Sequence, residues 1–291
     1  MSDTHKSRRV RSRIGRLGWV PIVWYALFLL GPLFLVFATS LASRGIYGGL
    51  EWNLSGENYL RSADPLFSLI LWRSFLLAAV TAAFCFIIGF PMALAMATAS
   101  ATARNVFVFA LAIPFLTNLM IRICAVKSLV AYEGPVAHFL LALGVEFDRF
   151  ALSQNLSLVL YGMISSYLPF MVFPLYSALE RFDFSLVEAA QDLGASYIQV
   201  MNRVILPSLR RAIVSGVLLV FIPAFGEFVI PDLLGGAKTM LIGNLISEQF
   251  LKARDWPFGS ALSIVLMLIL AGAIWWIRLF DRPMGRPRRP A

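Results

Sequence analysis

The positions of the charged residues constrain this chain more than any other feature. Six intervals contain no Asp, Glu, Lys or Arg: 17–43, 74–103, 105–121, 150–179, 212–226 and 256–277. A helix needs about 20 mostly apolar residues to cross a bilayer, so these intervals predict six transmembrane helices. The third is short unless Arg104 and Arg122 extend to the interfaces along their aliphatic stems. The fifth is expected to continue past Glu227 through 228–231. Composition agrees, because 59% of the 291 residues are apolar and 14% charged, against roughly 45–50% and 25% in a soluble domain. The expected fold class is an all-α integral membrane protein. A seventh apolar stretch, 134–145, is too short to span and carries His138, which predicts an interfacial or re-entrant helix.

Lys6, Arg8, Arg9, Arg11, Arg13 and Arg16 precede the first interval as in a signal peptide, and Ser40-Leu41-Ala42 resembles a cleavage site. A cleavable apolar core is about 7–15 residues long. The interval 17–43 is 27 long, so a retained span is expected. Six spans put both termini on one side. With the tails, the 98–105 turn and 180–211 on that side, it holds 16 Lys/Arg and 6 acids, while the other side holds 9 and 10. The positive-inside rule makes the first side cytoplasmic. The net charge of +9 and pI near 10.0 therefore reflect sidedness and attraction to anionic lipid rather than nucleic-acid binding.

Pro91, Pro114, Pro169, Pro174, Pro223 and Pro231 recur at membrane depth. Broken helices are tolerated there where neighbouring helices or a wet cavity satisfy the freed backbone groups, which favours a solute-handling bundle over an anchor. Ala78, Ala79, Ala82, Ala83, Ala93, Ala95 and Ala97 would allow close helix approach in the second span. Catalytic readings lack their parts. There is no GxSxG and no HExxH, and Gly235-Gly236-Ala237-Lys238-Thr239 fails GxxxxGK[ST]. Cys85 and Cys124 read as apolar packing residues, so neither a catalytic nor a metal site is expected.

The polar segment 180–210 is too patterned for a plain linker. Ser185-x-x-Glu188 and Ser196-x-x-Gln199 read as capping boxes that start two short helices, with Gly194 between them and Pro207 after the second. Ala189 and Ala190 keep one face of the first helix small, and Ile198, Met201, Val204 and Ile205 form an apolar stripe on the second. Such a helix either docks in a partner's groove or rests on lipid headgroups.

Glu188-Ala189-Ala190-Gln191-Asp192-Leu193-Gly194, nine further residues, then Val204-Ile205-Leu206-Pro207 resemble the EAA loop of binding-protein-dependent ATP-binding-cassette (ABC) importer permeases of the type I (MetI-like) fold, Val204 standing where that pattern usually has Ile. The resemblance implies a coupling helix that sits in a cleft of a separate ATPase subunit, with Glu188, Ala189, Ala190, Gly194, Leu206 and Pro207 at the motif positions. The runs 225–237, 240–250, 255–262, 134–145 and 167–181 further resemble the spermidine/putrescine permease subfamily, specifically the subunit that pairs with a second, similar permease. The resemblance implies division into a tail, first helix and outer loop (1–71), a permease core (72–280) containing the coupling loop 180–210, and a basic tail (281–291). It also implies a homologous permease partner, two ATPase subunits that bind the ATP, an extracytoplasmic solute-binding protein, and no cofactor in this chain. A polyamine is the expected solute. An iron complex, sulfate or a phosphonate is the alternative within the class, and a channel or scaffold without ATPase coupling the alternative outside it.

Glu227 lies 16 residues after Arg211, which places it about 24 Å up a core about 30 Å thick. An acid at that depth costs ~2.5–3.5 kcal/mol and faces a cavity or a partner. Two readings stand. Glu227 attracts a cation on the translocation path, with Asp232 and the rings of Phe225 and Phe228, or it pairs structurally with Arg122 or Lys238. Trp275 and Trp276 beside Arg278 read as an interfacial belt. Glu146 and Asp148 read either as a solvated face or as contacts for a docking binding protein.

Overall fold

A computed structural model describes residues 19–45, 48–131, 134–143, 155–236 and 239–280. The basic tails, Glu146, Asp148 and Lys238 lie outside the described residues, as do the side chains of Trp276 and Arg278. The described residues form two compact units, one drawn from 1–64 with 246–269, the other from 65–245 with 270–291.

In the first unit, helix α1 consists of Trp19–Tyr25, a π-helical turn Ala26–Leu30 and Gly31–Ser40. The π turn precedes Pro32, whose ring cannot tolerate the carbonyl four residues back and which has no N–H to give. A two-residue antiparallel pair comes next, β1 (Ser43–Arg44) with β2 (Leu50–Glu51), then the short helix α2 (Glu57–Ser62). Gly48 and Gly49 supply the positive φ of the turn between the strands (85° and 89°). The end of α1 is tied down: buried Asn58 donates its amide to the carbonyls of Ser40 and Ala42 at 3.1 and 2.9 Å, and Ser40 Oγ lies 2.7 Å from Tyr59 Oη. The Ser40–Ala42 run that resembles a cleavage site is thus packed and bonded.

Asp255 is the electrostatic centre of this unit. Its side chain is 1% exposed, 3.2 Å from Arg61 Nη1 and 4.0 Å from Arg44 Nη1. Its Oδ1 accepts the Phe258 N–H as the N-cap of α13 (Trp256–Phe280), and Arg61 stacks 4.2 Å above the Phe258 ring.

The second unit is built on three helices in mutual contact: α3 (Pro65–Thr98), α7 (Leu156–Leu179) and α10 (Arg210–Phe225). The buried residues of α3 (Ile70, Ser74, Leu77, Ala78, Thr81, Ala82, Cys85, Gly89, Ala93 and Met96 among them) recur at three- and four-residue spacing, one helical face. Ala78, Ala82 and Ala93 lie on that face, whereas Ala83 and Ala95 are exposed. Two glycines set the approach. A Cβ at Gly89 would stand 3.2 Å from Met171 and Val172, and one at Gly216 would stand 2.7 Å from Met171 Sδ. Small residues let transmembrane helices close to this range and gain dispersion contact.

The spans differ from the expected intervals in three places. The second begins at Pro65, so Arg73 is inside α3 rather than ahead of it. The third, α4 (Ala101–Leu116), turns through 92° into α5 (Leu119–Leu129). Arg122 therefore lies inside α5, its guanidinium turned back onto Pro114 O and Ser166. The fifth stops at Phe225: Gly226 caps α10, and a separate helix α11 (Val229–Leu234) comes after it. Among the described residues, four helices are long and apolar enough to span a membrane, and six if the two bent pairs are each one span. The expected short helix appears as α6 (Pro135–Ala142).

Candidate functional site

Between α7 and α10 the chain folds into a helical hairpin, α8 (Ser185–Asp192) and α9 (Tyr197–Ser208). The first expected capping box is not formed. Asp183 lies two residues earlier and its Oδ1 accepts the Ser185 N–H at 3.0 Å, which takes over the capping role. The Ser185 hydrogen bonds hold the Asp183 carboxyl below its usual range, so this contribution persists at neutral pH and is lost as pH falls through the lowered value. The second box is formed: Ser196 Oγ accepts the Gln199 N–H at 3.4 Å and Gln199 Oε1 accepts the Ser196 N–H at 2.9 Å.

Gly194 ends α8 with φ +82°, the Gly194 N–H bonding Gln191 O at 2.8 Å and the Ala195 N–H bonding Ala190 O at 3.0 Å. This double closure is a Schellman motif and needs a left-handed residue. A Cβ at Gly194 would touch nothing, so Gly194→Ala isolates the backbone strain. We expect it to cost about 1 kcal/mol, seen as earlier thermal unfolding; an unchanged transition would mean that the turn rearranges freely.

The apolar stripe of α9 divides. Met201–Ile205 forms a π turn ahead of Pro207, and its extra residue rotates the next turn of the helix about the axis. Val200, Ile205 and Leu209 face inward, while Ile198 is 70% exposed. With Leu193 (89%), Tyr197 (67%) and half-exposed Leu186, Ile198 contributes large apolar exposure along the hairpin, where Glu188 and Ala189 are also exposed. Pro207 is exposed, Ala190 and Leu206 half-buried.

The second candidate region is the broken junction after α10. Glu227 stands in the turn between α10 and α11. Its Oε1 accepts the N–H groups of Phe228, Val229 and Ile230 at 3.1, 2.8 and 3.3 Å, capping α11, and its Oε2 accepts the Tyr167 hydroxyl from the middle of α7. Glutamate thus does at this break what Ser, Thr, Asp or Asn usually does. Gly243 at the start of α12 (Ile242–Leu251) lies against the carbonyls of Gly226 and Glu227, too close for any Cβ. Asn244 donates its amide to Phe228 O at 2.8 Å, and Ser74 Oγ accepts the Ile242 N–H at 2.8 Å.

One position before Tyr167, Ser166 holds the other break. Arg122 donates to Ser166 Oγ at 2.9 Å and to Pro114 O at 2.8 Å. The Pro114 carbonyl would be bonded by Asn118 in a continued helix, but Asn118 instead caps α5 through Met120 N–H. The guanidinium and the Thr117 hydroxyl, which donates to it at 2.9 Å, share that freed carbonyl. Gly162, one turn earlier on α7, admits α11: a Cβ there would stand 2.8 Å from Ile230 and 2.9 Å from Leu234.

Of the sequence-predicted path residues, Glu227 is half-buried with Tyr167 rather than Arg122 as its partner, Asp232 and Phe228 are exposed, and Phe225 is 1% exposed. The Phe225 ring packs against Phe75 and Phe221. Tyr167, Ser166, Asn244 and Asp255 were not singled out from the sequence. For Asp255 a signal existed, an acid immediately ahead of Trp256-Pro257 at a helix start. The other three act through contacts remote in sequence.

This architecture is that of an ABC importer permease. The chain superposes on a subunit of a bacterial alginate ABC transporter solved in complex with alginate pentasaccharide-bound periplasmic protein, with a TM-score of 0.72 at 16% identity, covering 95% of this chain and 96% of that one. Residues 85–286 match the family model for the binding-protein-dependent transport system inner membrane component. The chain belongs to that family, and it is a multi-pass inner-membrane transport subunit. It is 40% identical over 247 residues to the spermidine/putrescine transport system permease protein PotB of Escherichia coli (strain K12), covering 85% of this chain and 90% of that one. It is 38% identical over 248 residues to PotB of Haemophilus influenzae, covering 85% and 87%.

Proposed function

We propose that this chain is one permease subunit of an ATP-driven importer for a polyamine such as putrescine or spermidine. The likeness to PotB over most of both chains carries the substrate class. The exposed apolar hairpin carries the coupling, since Leu186, Leu193, Tyr197 and Ile198 are left to water or to a partner. In this reading the bent pair α4–α5 is one span and α10 crosses by itself after the bend at Leu209, giving six spans with both termini cytoplasmic. The hairpin then lies on the cytoplasmic side and docks in an ATPase subunit. Glu188, Ala189, Ala190 and Gly194 shape its first helix, and Leu206 and Pro207 the turn into α10. A homologous second permease completes the pathway, two ATPase subunits bind the ATP, and an extracytoplasmic binding protein delivers the solute.

The mechanism rests on where the chain is rigid and where it is broken. ATP-driven closure of the ATPase pair moves the hairpin, and the 71° bend at Leu209 passes that motion to α10. At its far end α10 meets the Glu227 turn, and in this reading Glu227 is the acid that attracts the solute, with Phe228 and Asp232.

Uptake of labelled putrescine and spermidine in cells lacking this chain, with and without the restored gene, tests the solute. Restored, ATP-dependent uptake is expected; equal uptake in both strains removes the polyamine assignment. Glu227→Gln is expected to lower that uptake about tenfold, as for about 1.4 kcal/mol lost from a charge-assisted contact, at unchanged membrane abundance. Unaltered uptake would remove Glu227 from the path.

A further inference from the structure

The junction around Glu227 contains more acceptors than the fold consumes. Oε1 is engaged by three backbone N–H groups as the cap of α11, but Oε2 takes only the Tyr167 hydroxyl, and Glu227 forms no ion pair among the described residues. Beside it, Asn244 uses its Nδ2 on Phe228 O. That bond fixes which way the amide points, so the other end is oxygen. Asn244 Oδ1 is buried and has no hydrogen-bond donor. Buried acceptors without a donor are rare in folded proteins and ask for an explanation. The phenolic oxygen of Tyr167, having donated its proton to Oε2, is itself an acceptor. Phe228, whose backbone N–H and carbonyl are held by Glu227 and Asn244, has a partly exposed side chain.

We propose that Glu227 Oε2, the Tyr167 oxygen and Asn244 Oδ1 receive a primary ammonium group of the solute, with Tyr167 as the residue that positions the carboxylate. The inference rests on the reading that Glu227 lies on the solute path and deepens it. A primary ammonium presents three N–H donors on one compact charge and can satisfy several convergent oxygens at once. A quaternary ammonium carries the same charge with no donor, and its contact would be limited to the ring face and the Coulomb attraction. Tyr167 matters because a glutamate side chain has three rotatable bonds. With Oε1 held by the helix cap and Oε2 by the phenol, the carboxylate plane is fixed before solute arrives, which removes an ordering cost from binding.

The test uses the full chain purified with its cognate permease and ATPase subunits, without binding protein, and measures equilibrium binding of putrescine and of its bis(trimethylammonium) analogue. Wild-type complex is expected to bind putrescine at least about tenfold more tightly than the analogue, and Tyr167→Phe to weaken putrescine about tenfold while leaving the analogue unchanged. The ratio of the two affinities is read within one preparation, so partial loss of folded complex leaves it unaltered. If Tyr167→Phe keeps the wild-type ratio while Glu227→Gln loses it, the positioning role of Tyr167 is overturned and the path reading stands. If Glu227→Gln binds putrescine as wild type does, the path reading itself is overturned.

Discussion

Glu188→Arg should abolish ATP-driven uptake while leaving the chain abundant in the membrane. Glu188 is exposed in the first turn of α8, on a hairpin whose apolar side chains also face outward. An exposed substitution of this kind changes stability by about 0.5 kcal/mol, with up to about 1 kcal/mol more because an acid is favoured and a cation disfavoured at a helix start. The larger cost falls on docking. Reversing a charge within an interface leaves it unpaired or opposed and costs at least about 2 kcal/mol, a loss of thirtyfold or more in assembly. ATPase stimulation and uptake should fall together by that factor in reconstituted complexes. Uptake that persists at full rate would mean that the hairpin is not the coupling element, and an ATP-independent flux unaffected by the change would favour a channel.

The largest stability effect is expected at Asp255. Removing Asp255 leaves Arg44 and Arg61, each about half exposed, without their counter-charge, and the loss of the charge-assisted Arg61 hydrogen bond costs about 1.5–3 kcal/mol. Asp255→Ala would also remove the cap on the Phe258 N–H, worth about 1 kcal/mol, and release Arg61 from its place over the Phe258 ring. Abundance of the variant should fall. Asp255→Asn separates the two contributions, because it keeps an oxygen for the Phe258 N–H and discards the charge. It should lie between wild type and Asp255→Ala in thermal unfolding. Equal stability of all three proteins would show that Arg44 and Arg61, each about half exposed, are satisfied by water and that the pair contributes nothing.

The hairpin was the most legible part of the chain because its signals are local. Gly194 at a positive φ, the Ser196–Gln199 box and the position of Pro207 all act within one turn of helix, so residue type and spacing are enough to read them. Even there the stripe Ile198, Met201, Val204, Ile205 presumes a regular helix, and the π turn before Pro207 turns Ile198 out and Ile205 in. The Glu227 junction was legible only as a charge at depth. Its cap depends on the break at Gly226, and its partner Tyr167 is 60 residues away on a helix whose rotation is set by packing.

The sequence by itself determined that this chain lives in a membrane, where its apolar segments lie and which loop carries the family's motif. These depend on hydropathy and short-range spacing, which act on each segment regardless of its neighbours. Only the tertiary structure decided where the helices break and what closes each break. A carbonyl freed at membrane depth must find a donor among whatever packs beside it. At Pro114 the donors are the Thr117 hydroxyl and Arg122, and Arg122 is held by Ser166 as the acid that caps α11 is held by Tyr167, two contacts that exist only once α7 lies against both broken elements.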